Sequence, residues 1–461
     1  MGLVLGLGLG TGFGGAPPFS PGNASPLPLA WSDSELSALL DGSAAPVTSN
    51  GASIHDWKDA RGTTLYAQAT SGKQPKLDTA TLLNGHRSIA FTVAATSEIE
   101  TTAIGVSGNV DWSFGSVFAF DSTNTYPISD GPFVVLGGPS SSLCFAGTNA
   151  GAGWSFSASA QVASSVPHPH DGADQDLFVH LGWIDHRASD NRTRVIIDGR
   201  IVVSAIQNFS VLKRIAIGDG TAFNLHANTH LWATVMHDVV SDTLRAQYEA
   251  YFAARFKLFT VFALGDSLTF GFPDGAPGNT DYLFYLVPTL RALGCSRYNF
   301  GVTGELTSQI LARVTSVTNL ASGVPSVTIL QGGTNDVFSL GANGVPSDPT
   351  AAAVQATANL KACADAIHAA GGNNKVVVLQ MPPVGPTASA RPAGLDTFRN
   401  ALSAALSTAT WADGYVAIPA GLTDATNATN YQSDQIHMTT TGRSAWAAAM
   451  TSTVKSVVGL P

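Results

Sequence analysis

Phe259-Thr260-Val261-Phe262-Ala263-Leu264-Gly265-Asp266-Ser267-Leu268-Thr269-Phe270-Gly271 decides how the second half of this chain is read. The run Phe259–Leu264 is apolar throughout except for one β-branched threonine, short, and closed by glycine, which is the pattern of a buried strand. It ends on Gly265-Asp266-Ser267-Leu268-Thr269, with Gly271 close behind. Ser267 is therefore delivered on a glycine-flanked turn at the carboxyl end of a strand. Open α/β sheets place their chemistry at that edge, and a serine hydroxyl presented there is placed as a nucleophile.

Outward from this stretch, strands alternate with helical patterns. Asn299-Phe300-Gly301-Val302-Thr303-Gly304 closes a second strand, and Val327-Thr328-Ile329-Leu330 leads into Gly332-Gly333-Thr334-Asn335-Asp336. Lys375–Gln380 and Gly414–Ile418 supply two more strands, and helical spacing falls near 280–293, 305–318, 350–370, 396–410 and 440–455. Continuous apolar strands separated by helices predict a five-stranded parallel sheet covered on both faces. The small-residue turns ending at Gly304 and around Asn335 can each aim a backbone N–H or a side-chain amide at a developing oxyanion. Near the C-terminus, Asp434-Gln435-Ile436-His437 sets a carboxylate three residues before an imidazole. That spacing lets the acid orient the ring and stabilise its protonated form. The only other histidine beyond residue 257 is His368, at the end of a helical pattern before Gly371. A histidine there complements the helix dipole, which leaves His437 as the base.

These blocks, in this order, resemble the GDSL or SGNH hydrolase family: Gly-Asp-Ser-Leu at 265–268, Gly304, Gly-Gly-Thr-Asn-Asp at 332–336, and Asp-x-x-His at 434–437. The likeness spans residues 258 to 461. It implies an α/β/α hydrolase in which Ser267 is the nucleophile, His437 the general base and Asp434 its orienting acid. The N–H of Ser267, the N–H of Gly304 and the side chain of Asn335 would form the oxyanion hole. No metal and no organic cofactor is required by such a site.

The first half reads differently. Residues 1–27 are a Gly/Pro/Ser-rich lead with too few large side chains for a core, read as a disordered tail or an anchor to another subunit or particle. From 28 to 257 short strands are broken by turn signals, the all-β pattern. Examples are Ser88–Val93, Ser116–Phe120, Phe133–Leu136, Leu177–Trp183 and His230–Val235. Asp198-Gly199 at the centre of Arg194–Val203 predicts a type I′ hairpin. Ser241 caps a closing helix whose Leu244, Tyr248, Tyr251, Phe252 and Phe256 share a face. With Trp57 and Asp59 in an early loop and Asn84-Gly85 before a strand, the segment resembles a concanavalin A-like, laminin-G-type β-sandwich, a jelly roll that in many members binds glycans. His168-Pro169-His170-Asp171 and the acids to Asp176 gather metal-ligand types, but without EF-hand spacing, and read as a solvated polar loop. Six of the eight tryptophans precede residue 257, and some must be core.

Composition narrows the partners. A formal charge of −9 without a run of five like charges, and only 12% charged residues, disfavours nucleic acid or an anionic membrane. Cys144, Cys295 and Cys363 are odd in number and far apart, which excludes a Cys-x-x-Cys metal site and argues against a disulfide framework. No apolar stretch approaches a bilayer span, and the glycine-rich start lacks the basic residues of a secretory signal. The expected setting is extracellular, cell-surface or virion-associated. The expected substrate is an O-acetyl or similar ester on a polysaccharide: the loops at Phe272-Pro273-Asp274-Gly275 and Met381–Pro386 offer no long apolar lining for a fatty chain, and a β-sandwich fused to such an esterase suggests glycan-linked esters. The alternatives are a glycan-binding spike or surface protein with a residual hydrolase scaffold, and a lipid or small-ester esterase. Homo-oligomer formation or particle attachment through residues 1–27 stays open.

Overall fold

The computed structural model describes residues 30–35, 37–59, 64–92, 99–101, 110–120, 132–137, 143–146, 155–158, 160–163, 179–206, 214–217, 229–272, 281–290, 295–319, 325–371, 373–386 and 391–459. The 1–27 lead, the 168–176 loop, Trp154 and residues 273–275 lie outside the described residues, as do the side chains of Trp31, Cys144 and Cys295.

Among the described residues, the first half forms two antiparallel sheets, consistent with a β-sandwich. One runs Arg200–Ile206, Arg192–Ile197, Val179–Arg187, Trp112–Phe120, Thr229–His237, His86–Phe91, Lys76–Leu83, with Ala30–Asp33 also paired to Thr229–His237. The other runs Ala160–Ala163, Ser155–Ala158, Leu143–Ala146, Pro132–Gly137, Arg214–Ile217, Ile99–Thr101, Thr64–Ala67, Asp56–Lys58, Leu39–Leu40. Tyr66 of the second sheet donates its hydroxyl to Thr234 of the first at 3.1 Å, with both side chains buried. Thr229–His237 is buried along its whole length. Its other face lies under the helix Asp242–Phe256, whose Leu244, Tyr248, Phe252 and Phe256 join Trp183, Trp232 and Val235 in one apolar cluster. A strand covered on both faces loses the in–out alternation that a half-exposed strand shows. Ser241 caps the helix by accepting from Leu244 N, and Lys257 ends it in the left-handed region at φ 51°.

The hairpin at Asp198-Gly199 has the expected backbone, with φ of 50° and 80°. Asn84 and Gly85 form the same kind of turn between Lys76–Leu83 and His86–Phe91, at φ 52° and 89°. Trp57 corrects the loop reading: it lies within the strand Asp56–Lys58, fully buried and stacked on Tyr66 with centroids 5.3 Å apart. Asp59, next to it, is also buried.

The second half is a parallel sheet in the order Cys295–Gly301, Phe259–Gly265, Ser326–Leu330, Asn374–Leu379, Gly414–Val416. Phe259–Gly265 and Ser326–Leu330 are buried at every position, as central parallel strands between helical layers must be. On one face Tyr282–Leu290 and Thr440–Val457 pack with Phe259, Val261, Ile329 and Val377. On the other, Pro349–Ala369 and Leu395–Ser407 pack with Phe262, Leu264, Leu330 and Val378. Alternate residues of each strand therefore serve opposite layers, the α/β/α sandwich that the apolar runs predict. The helical stretch 305–318 is two helices, Thr307–Ala312 and Thr315–Thr318, broken at Arg313. His368 does more than face the helix dipole, for its Nε2 lies 2.8 Å from Asp413 Oδ2. Cys363 is buried, and burial pushes its thiol up to about 12, as expected of a small core residue.

Candidate active site

Ser267 opens the short helix Ser267–Phe270 just after the strand Phe259–Gly265. Asp266 caps that helix, its Oδ1 accepting from Leu268 N at 3.0 Å. The turn is tight because it has no room: a Cβ on Gly265 would meet Thr269 Oγ1 and the Gln331 carbonyl, and one on Gly301 would meet the backbone of Thr269–Phe270. Gly271, at φ 89°, closes the helix by donating its N–H to the Ser267 carbonyl at 3.0 Å. Leaving strand and helix in contact across these glycines fixes the serine to the sheet.

His437 reaches the serine from the loop before the last helix. Its Nε2 lies 2.9 Å from Ser267 Oγ, and its Nδ1 lies 2.6 Å from Asp434 Oδ2. A carboxylate can only accept, so Nδ1–H donates to Asp434 and Nε2 is left to accept the serine proton. Asp434 Oδ1 takes the backbone N–H groups of Ile436 at 2.9 Å and His437 at 3.0 Å. The loop is pinned further by Gln432 N to His437 O at 2.8 Å and by Gly385 N to Gln435 O at 2.9 Å. Gln435 pays for this turn with a left-handed φ of 56°. Burial works to raise the Asp434 carboxyl, but the His437 ring and the two N–H donors outweigh it and hold it below the usual carboxylate range.

The two remaining blocks meet each other. Gly304 has φ 82°, and Asn335 sits in the helix Thr334–Phe338 after Ser326–Leu330. Asn335 Nδ2 donates to the Glu305 carbonyl at 2.9 Å, which uses one of its two hydrogens and orients the other. Asp336 ties the same two loops together, accepting from Thr307 N at 3.0 Å and from Thr307 Oγ1 at 2.6 Å. The structure thus brings Ser267, His437 and Asp434 into one hydrogen-bonded chain and joins the Gly304–Glu305 turn to Asn335.

Some of the site gave weaker signals in sequence. Phe272, 39% exposed, tilts its ring over His437 with centroids 4.8 Å apart. The loop Met381–Gly385 is buried, with Met381 and Val384 packed in the core. Asp266 is fully buried; desolvation pushes its carboxyl up to about 6 against the hydrogen bonds from Leu268 N and Gln331. Its signal was present as an N-cap acid one residue before a short helix. Among the described residues no group of His, Cys, Asp or Glu is arranged to hold a metal, and no helix is long and apolar enough to cross a membrane.

A parallel five-stranded sheet between helical layers, with a serine and an imidazole meeting at its carboxyl edge, defines an α/β/α hydrolase of the SGNH type. Residues 263–445 match the family model described as the GDSL-like lipase/acylhydrolase family. That domain, less than half of the 461-residue chain, belongs to the family and is a carboxylic ester hydrolase. Similar solved structures include a GDSL-like lipase from Bacteroides thetaiotaomicron, at 19% identity over 46% of this chain and 98% of that one, with a TM-score of 0.32. A lipase from a goat rumen metagenome is 20% identical over 42% of this chain and 97% of its own, TM-score 0.35. The psychrotrophic esterase EstA from a Pseudoalteromonas species is 17% identical over 43% and 98%, TM-score 0.33. No curated protein matches this chain.

Proposed function

We propose that the chain hydrolyses small esters, O-acetyl groups on a polysaccharide or related glycan, by a two-step acyl transfer through Ser267. The observation that carries the reading is the continuous chain Asp434 Oδ2, His437, Ser267 Oγ, at 2.6 and 2.9 Å. In the first step Oγ attacks the ester carbonyl carbon while Nε2 of His437 takes the hydroxyl proton. The oxyanion rests on the N–H groups of Ser267 and Gly304 and on Asn335 Nδ2. His437 then passes its proton to the leaving alcohol oxygen, and the acyl group stays on Ser267. Water repeats the sequence, giving up a proton to His437 as it attacks; His437 returns that proton to Ser267 Oγ as the acyl–oxygen bond breaks, and the carboxylic acid leaves. Asp434 holds the ring in the tautomer that keeps Nε2 free to accept.

The small-acyl preference is supported by what surrounds the serine. Among the described residues, the loop Met381–Gly385 is packed into the core, and the exposed large apolar side chains near the site are Phe272 and Val302. That surface suits a short acyl group better than a fatty chain. A glycan as the alcohol part is supported by the β-sheet half that precedes the hydrolase. The test is release of acetate from p-nitrophenyl acetate and from an acetylated polysaccharide by the full chain and by Ser267→Ala. Acetate from both substrates, abolished in Ser267→Ala, is the expected result. Turnover of long-chain esters alone would replace glycan with lipid substrates. Glycan retention without any turnover would make the chain a glycan-binding protein on a retained scaffold.

A further inference from the structure

An oxyanion hole built from three separate loops needs something to hold those loops in register, because a displacement of about 1 Å can cost 10²-fold in rate. The backbone joins Gly265, at the end of the strand Phe259–Gly265, to the neighbouring turn through Val302 N, two residues short of Gly304. Arg313, at the break between Thr307–Ala312 and Thr315–Thr318, spans that gap. Its Nη2 donates to the Gly265 carbonyl at 2.8 Å, two residues before Ser267. Its Nε lies 2.8 and 2.6 Å from the two carboxylate oxygens of Glu305, and Nη2 lies 2.6 Å from Glu305 Oε2. Glu305 directly follows Gly304, and its own carbonyl holds Asn335 Nδ2 at 2.9 Å. The Gly265 carbonyl also accepts Val302 N at 3.0 Å, so the strand end gathers both the second-strand turn and the guanidinium.

We propose that Arg313 is a positioning residue for the oxyanion hole: one guanidinium, by gripping the Gly265 carbonyl and the Glu305 carboxylate together, sets the Ser267, Gly304 and Asn335 donors at a common point. This rests on the reading of these three as the oxyanion donors. Arg313 touches no reacting atom; it acts through Glu305 and Gly265. The side chains of Arg313 and Glu305 are only 21% and 14% exposed, so water competes weakly for the pair. The planar fork matters more than the charge, since a lysine ammonium cannot reach a carbonyl and two carboxylate oxygens in fixed directions.

The test is a double-mutant cycle between Arg313→Lys and Asn335→Ala, with p-nitrophenyl acetate as substrate. Rates are normalised to sites titrated by a fluorophosphonate, so that a fraction of misfolded chain does not count as slow chemistry. Arg313→Lys should lower kcat per titrated site by about 10- to 100-fold with KM unchanged, because the oxyanion exists only past the ground state. In the Asn335→Ala background the same change should cost clearly less than in wild type, since one of the three donors it positions is gone. The pH profile should keep its midpoint, because the imidazole and its carboxylate are untouched. Glu305→Gln, which keeps the carbonyl that holds Asn335, should move kcat in the same direction. Equal losses in both backgrounds, or a loss fully explained by fewer titratable sites, would overturn the positioning role while wild type still outpaces Ser267→Ala. If wild type and Ser267→Ala turn over alike, the oxyanion reading itself falls and the inference with it.

Discussion

Asp434→Asn is the substitution whose outcome the geometry specifies in most detail. Oδ1 of Asp434 holds the N–H groups of Ile436 and His437, and Oδ2 holds His437 Nδ1 at 2.6 Å. Asparagine keeps one oxygen, and two backbone donors compete for it against one ring nitrogen. Turning its NH₂ toward the backbone would leave donors facing donors, at about 1–3 kcal/mol for each one left unsatisfied. The amide nitrogen must therefore face Nδ1, which becomes the acceptor, and the ring proton moves to Nε2. There it points at Ser267 Oγ, 2.9 Å away, and the base can no longer take the serine proton. The same wrong-tautomer effect in a Ser-His-Asp triad lowers kcat by about 10⁴-fold, which at 1.36 kcal/mol per decade is ~5.4 kcal/mol of lost transition-state stabilisation. Initial rates of p-nitrophenyl acetate hydrolysis near neutral pH measure it. Thermal unfolding at the same pH should stay near wild type, because both backbone contacts to the loop survive. A loss of less than tenfold would refute the tautomer argument, and a collapse in Tm with a matching loss of rate would assign Asp434 to loop structure instead.

Three further outcomes follow from the same contacts. Asn335→Ala should lower kcat by about 10²- to 10³-fold at constant KM, the cost of one oxyanion donor; a rise in KM with kcat preserved would make Asn335 a ground-state contact. Gly301→Ala would set a Cβ 2.6 Å from Phe270 Cα and Thr269 C, backbone of the helix that carries Ser267. An unfolding free energy lowered by about 1–3 kcal/mol, together with a lower kcat, is expected; wild-type values for both would show that the helix tolerates displacement. Asp266 gives a pH signature with a definite sign: burial raises its folded-state pKa to about 6, above the unfolded value of roughly 3.9. The buried acid therefore favours the fold below the unfolded value and loses that contribution as pH rises through about 6. Asp266→Asn should accordingly gain stability relative to wild type as pH is raised from 4 to 7, and a stability difference independent of pH would contradict the raised pKa.

The hydrolase half was legible because its information is local. Phe259–Leu264 and Val327–Leu330 are apolar on both faces, which a parallel sheet between helices demands; the blocks at Ser267, Gly304 and Asn335 each come after a strand, and Asp434–His437 comes just before the last helix. What escaped is what depends on approach through space. Trp57 sits between polar neighbours, Asp56 and Lys58, and resembles a loop residue; only its stack on Tyr66 makes it core. The stretch 305–318 carries helical spacing, yet it breaks at Arg313, whose side chain bonds Glu305 and the Gly265 carbonyl across the fold. Phe272 over His437 and Asp413 beside His368 join residues far apart in sequence, and no spacing rule pairs them.

The central claim is that Ser267 is the nucleophile and His437 its base. Diisopropyl fluorophosphate followed by intact mass and peptide mapping tests it most directly. One adduct per chain, on Ser267, forming in step with the loss of esterase activity and nearly absent from His437→Ala, is the predicted result. A stoichiometric adduct elsewhere, or full activity retained once Ser267 is modified, would contradict it.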